Sequence, residues 1–175
     1  MTEEQLFLAI KQMREAFLDE NWELLSTLML IYTYLYNYSF EEYYKYLPDP
    51  IKRETAIEAY TCHGDEYGKV RQAVRSLARK DKFGLYLLPQ DLNDTDIIQV
   101  YRSGIEAIEK APSHISWTTD INVANWFHNR NRLIGKDSHI YSAKIYPKNV
   151  IAYVDNRNEK EIMQYRKVFD TIQIA

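Results

Sequence analysis

The sequence predicts an α+β fold, a helical N-terminal part followed by a strand-rich half with one inserted helix. Through roughly the first half of the chain, apolar residues recur at helical spacing with charges between them. From residue 96 onward they recur at every second position, in six short runs. Between the second and third of these runs the helical pattern returns once, behind an aspartate suited to cap it.

In order along the chain, Leu6, Ile10, Met13 and Phe17 mark a first amphipathic helix. From Leu24 to Tyr36 apolar residues fall all round, as in a helix packed on several sides. The tyrosines of IYTYLYNYSFEEYYKY are read as mass packed between helices rather than as a binding surface. Pro48 and Pro50 break the chain, and a helix is expected from Ile51 to Tyr60. Another is expected from Tyr67 to Lys82, with Val70, Val74 and Leu77 inward and Lys69, Arg71, Arg75, Arg79, Lys80 and Lys82 displayed. The architecture changes between Lys82 and Asp96, where Gly84 and Pro89 punctuate the chain. This gives a helical region over 1–84 and a β-rich core over 85–175, or one compact domain that holds both.

The strand runs are DIIQVYRSG (96–104), SHISWTTD (113–120), HIYSAKIYP (139–147), NVIAYVD (149–155), EIMQY (161–165) and DTIQI (170–174). Val150 to Val154 are apolar on both faces, so that strand is expected to be central. In the inserted helix, DINVANWFHNRNR, Asp120 caps and Ile121, Ala124 and Phe127 point inward. Trp126 and Phe127 are read as packing mass before any stacking role on a ligand.

Composition narrows the function. The net charge is −3, which forces neither a nucleic-acid nor a membrane partner. Charge is uneven, however: residues 1–50 hold nine acids and three Lys or Arg, and 51–82 hold eight Lys or Arg against five acids. A single cysteine, Cys62, excludes an internal disulfide and fits a reducing compartment. Cys62 and His63 have no second pair at metal-binding spacing, so no metal is expected. MTEEQ has no apolar h-region, and the apolar stretch 22–38 is short for a span and rich in Tyr and polar residues. The reading is a cytoplasmic protein with no signal peptide and no membrane partner. None of the five glycines builds GxGxxG or GxxxxGK[ST], which argues against a Rossmann or P-loop nucleotide site.

Three local features remain. In IIQVYRSG, alternation puts Arg102 on the face of Ile98 and Val100, where it must reach solvent, pair with an acid or hold an anion. Ser103 and Gly104 beside it leave the backbone open to a ligand. In SWTTD, Ser116 and Thr118 share one face, and capping by Thr119 or Asp120 leaves Ser116 unexplained. In DNRNEKEIMQ, a turn leads into Glu159 and Glu161, which a strand would set side by side.

Taken in chain order, Arg102, Ser116-x-Thr118 and Glu159-x-Glu161 resemble the ADP-ribosyltransferase fold family, in the branch built from an arginine, a serine-bearing strand and an ExE element. VYRSG, ISWTTDINVANWF and NVIAYVDNRNEKEI carry the resemblance over residues 85–175, in the style of small phage and prophage members. It implies a mixed β core of two small packed sheets, with NAD bound between them and ADP-ribose passed to a protein target. Arg102 would hold the NAD phosphates or the adenine-side ribose, and Ser103 and Gly104 would meet the nicotinamide end. Ser116, in the SxT strand with Thr118, would position Glu161, the catalytic glutamate. Glu159 would serve the acceptor, for which the family pattern favours arginine. This chain has Ser-Trp-Thr where the family usually has Ser-Thr-Ser, and its arginine is followed by Ser-Gly rather than directly by Gly. Two other readings stay open: a copy of the fold that acts by interaction without catalysis, and a nucleic-acid-binding regulator using the basic helix, against which the net charge counts.

Overall fold

The computed structural model describes residues 2–80, 88–155 and 158–175, apart from the side chains of Asp65 and residues 78–80. Two compact units divide the chain, Met1–Leu77 and Ala78–Ala175. Lys82, Gly84 and the Asn156–Arg157 part of the turn before Glu159 lie outside the described residues, as do the side chains of Arg79 and Lys80. No helix among the described residues is long and apolar enough to cross a membrane.

The first unit is helical, as the period of its apolar residues requires. Helix α1 (Glu3–Leu18) opens with a capping box between Thr2 and Gln5 and buries Ala9, Met13 and Ala16. Leu6, Ile10 and Phe17 flank these residues half-buried. Asn21 caps α2 (Trp22–Ile31). The expected continuous helix through Tyr36 is broken at Tyr32, after which a 3-10 turn leads into α3 (Tyr36–Glu42). Helix α4 (Asp49–His63) takes Pro50 in its first turn, where no amide donor is needed. Ser26 of α2 and Thr55 of α4 join by a buried hydroxyl pair at 2.7 Å. Helix α5 (Gly68–Lys80) buries Val70, Val74 and Leu77 as its spacing predicts. Tyr36, Phe40, Tyr43 and Tyr44 are buried between helices, with Phe40 stacked on Tyr44 at 5.0 Å. Tyr34, Tyr38 and Tyr46 stay at the surface.

After a short helix α6 (Gln90–Asn93), the second unit holds β1 (Ile98–Gly104), β2 (Ser116–Thr118), α7 (Ile121–Leu133), β3 (His139–Ile145), β4 (Val150–Val154), β5 (Glu161–Gln164) and β6 (Phe169–Gln173). The α+β class holds. In place of two small mixed sheets, the strands form one antiparallel sheet in the order β4-β5-β2-β1-β3-β6. The join between its three-stranded halves is a single position, Tyr101 opposite Thr118. One face carries the apolar cluster of Ile98, Val100, Trp117, Tyr141, Ile145, Val150 and Ile162. Helix α7 packs against β1, β2 and β3.

Two expectations are corrected. Strand β4 is an edge strand, and β5 beside it is interior. Apolar residues on both faces report that both faces are covered, whereas hydrogen bonding along an edge is independent of that cover. A register shift between Val150 and Ala152 also disturbs the simple alternation on which the inference rested. In α7, Ala124 is buried and Phe127 half-buried, but Ile121 is exposed. Trp126 is 57 % exposed, with the Arg130 guanidinium over its ring, so it is not core mass.

Candidate active site

Strand pairing places a row of residues across all six strands. Val154, Glu161, Thr118, Tyr101, Ser142 and Ile172 stand opposite one another in register, from β4 to β6. Directly paired residues project to one face, so Glu161, Thr118 and Tyr101 share theirs, with Ser116 two positions along β2. The Ser116 hydroxyl reaches diagonally and donates to the Glu161 carboxylate. Glu161 itself is only 8 % exposed, at the first position of β5.

Arg102 belongs by alternation to the opposite, apolar face, opposite Tyr141. Its side chain turns back toward β2, where Nη1 donates to the Ser116 carbonyl at 2.9 Å. Since β1 and β2 pair only at Tyr101 and Thr118, that carbonyl lies past their ladder and takes the guanidinium instead. The arginine, the serine and the glutamate, from three separated parts of the chain, thus meet through one residue, Ser116.

A carboxylate that the spacing argument did not single out completes this corner. Glu106 Oε1 lies 3.4 Å from Arg102 Nε and 3.1 Å from His114 Nε2. The Glu106 backbone carbonyl accepts from the Tyr141 hydroxyl. A Cβ on Gly104 would lie 2.4 Å from the Glu106 carboxylate, so the glycine makes room for an internal side chain rather than for an approaching ligand. The available signal was the acid four residues after the arginine, beyond a glycine. Burial pushes the Glu106 carboxyl up, but the His114 hydrogen bond and the Arg102 charge outweigh it and hold its pKa at about 2.

A depressed carboxyl stabilises the fold above its unfolded pKa and loses that contribution as pH falls through the folded value. Glu106→Gln should therefore cost about 1–3 kcal/mol near neutrality. The deficit against wild type should shrink between about pH 4.5 and pH 2. Urea unfolding across that range measures it, and a deficit independent of pH would show that the charge is not what matters.

The remaining expected site residues are engaged internally. Ser103 Oγ lies 2.9 Å from Ser138 Oγ, and Asn131 of α7 reaches Ser103 at 3.4 Å. Thr118 Oγ1 donates to the Glu159 carbonyl at 2.6 Å and accepts from the Asp120 amide at 3.1 Å, which makes it scaffold. Glu159 precedes β5, and Lys160 between the two glutamates has φ 45°. A left-handed residue breaks strand alternation, so the two carboxylates do not stand side by side as on a strand. The Lys160 ammonium meets Asp120 Oδ2 at 3.0 Å. Asp120 sits below the ordinary carboxylate range, first through the Asn122 amide that it caps and then through Lys160, whose own pKa is raised by that bond.

Among the described residues no group of three or more His, Cys, Asp and Glu is placed to hold a metal ion. Arg102 has a different capacity: with Nε and Nη1 engaged by Glu106 and Ser116, Nη2 is a further guanidinium donor of the kind that suits an anion. Compared with protein-family models, curated proteins and solved structures, the chain matches none at a significant level.

Proposed function

We propose that the protein is an NAD-dependent mono-ADP-ribosyltransferase that moves ADP-ribose to a protein side chain, with arginine the favoured acceptor, and releases nicotinamide. The observation that carries this reading is the linked set of Arg102, Ser116 and Glu161, with the Ser116 hydroxyl on the Glu161 carboxylate and the Arg102 guanidinium on the Ser116 carbonyl. Each residue type fits a part of the chemistry. Cleaving the bond between nicotinamide and ribose leaves positive character on the ribosyl carbon, which a fixed carboxylate stabilises. Ser116 orients that carboxylate, and Arg102 presents a guanidinium donor to the NAD diphosphate. Glu159 serves the incoming nucleophile from the turn ahead of β5.

The test is incubation of the folded protein with labelled NAD and a bacterial lysate. Nicotinamide release and label on protein are expected; absence of both from folded protein would sink the reading. A second reading, an interaction protein of the same fold without catalysis, is favoured by the pairing of Arg102 with Glu106, which neutralises the arginine internally. Calorimetry separates the two, since a module without the site gives no heat with NAD.

A further inference from the structure

Residues Ser116–Asp120 bind Glu159–Glu161 nearly one to one. Ser116 donates to the Glu161 carboxylate, Thr118 Oγ1 to the Glu159 carbonyl at 2.6 Å, and the Thr119 amide to the Lys160 carbonyl at 3.1 Å. Asp120 Oδ2 accepts from Lys160 Nζ at 3.0 Å, and Trp117 turns into the apolar core. On the other side, the Lys160 amide donates to Asp155 Oδ1 at 3.0 Å. Amide, carbonyl and ammonium of Lys160 are thus all engaged, around a left-handed backbone that disfavours lysine. Asp120 holds two elements at once, since Oδ1 caps α7 through the Asn122 amide at 2.9 Å while Oδ2 takes the ammonium.

We propose that Asp120 and Lys160 form a latch that sets the direction of Glu159, and with it the partition of ADP-ribose between a protein acceptor and water. This rests on the transferase reading above. Both are positioning residues, for neither reaches the reacting atoms. Glu161 is held separately, by the β5 ladder and by Ser116, so the latch governs the first glutamate without the second. The pair is surface-exposed, and such pairs add little to stability, so breaking it leaves a folded protein to assay.

The experiment uses the full chain, labelled NAD and bacterial lysate, and reads the ratio of protein-bound label to free ADP-ribose. Lys160→Met and Asp120→Asn (asparagine keeps the helix cap) should lower that ratio about three- to tenfold, as misplaced reacting groups do. Lys160→Arg, which can still pair, should restore it to within about twofold of wild type. Hydrogen–deuterium exchange of the peptide covering 155–161 should rise in Lys160→Met and not in Lys160→Arg. An unchanged ratio in both disabling variants of a transferring protein overturns the latch, as does an arginine variant as poor as the methionine one. A wild type that releases no nicotinamide defeats the functional reading instead. In that case the exchange measurement still decides whether Lys160 holds the turn, and unaltered exchange in Lys160→Met overturns the proposal.

Discussion

If the protein is the transferase proposed above, Glu161→Gln should lower NAD cleavage and transfer together by about 10²–10³-fold, a loss of about 3–4 kcal/mol of transition-state stabilisation. The substitution keeps the side-chain volume and an oxygen able to accept from Ser116, so the hydrogen bond that orients the group survives. What it removes is the charge, which on that reading would oppose the positive character of the ribosyl carbon. Glu161 occupies the first position of β5, paired with Thr118 on one side and Val154 on the other, so its backbone stays in place. NAD affinity by calorimetry should change only a few-fold, because an interaction made in the transition state shows in the rate rather than in binding. Circular dichroism and urea unfolding confirm that the fold is kept. Cleavage persisting at more than about a tenth of the wild-type rate would remove Glu161 from the chemistry.

The helical period and the change to alternation at residue 96 made the two halves readable, because both reflect burial by face, which is local in sequence. Lateral strand order was not readable in the same way. The run of β4 is the more apolar of the two, yet β4 is the edge and β5 is interior, and nothing in a single strand encodes its neighbours. The candidate site was partly legible as a set of contacts: Ser116 stood out because capping did not explain it, and the structure gives its hydroxyl to Glu161. Glu106 did not stand out, since an acid four residues after an arginine reads as an ordinary surface pair. Its burial against Gly104, His114 and Tyr141 depends on β1, β2 and β3 meeting, a tertiary fact. The left-handed turn at Lys160 was hidden for a related reason. Lysine carries no signal for that conformation, which is imposed by contacts from Thr119, Asp120 and Asp155.

That turn separates the two glutamates along the backbone, and on the proposed transferase reading it leads to the second large effect. Glu159→Ala should lower transfer to protein by about 10²-fold, the scale expected when a positioned base is lost, and leave hydrolysis of NAD within about threefold of wild type. Were both residues on one strand face, their carboxylates would be neighbours, and removing either would alter the other. Here β5 begins at Glu161, and Lys160 redirects the chain before it. The Glu159 carbonyl is fixed by Thr118 and the following carbonyl by the Thr119 amide, so truncating the Glu159 side chain leaves the backbone that carries Glu161 in place. Water needs less help than a protein nucleophile to capture a ribosyl cation, because it is present at high concentration and needs no alignment of a second macromolecule. The measurement is parallel assay of free ADP-ribose and of protein-bound label for the same preparation. Loss of both activities in equal measure would mean that the two carboxylates act as one group, and the separation imposed by Lys160 would then have no functional consequence.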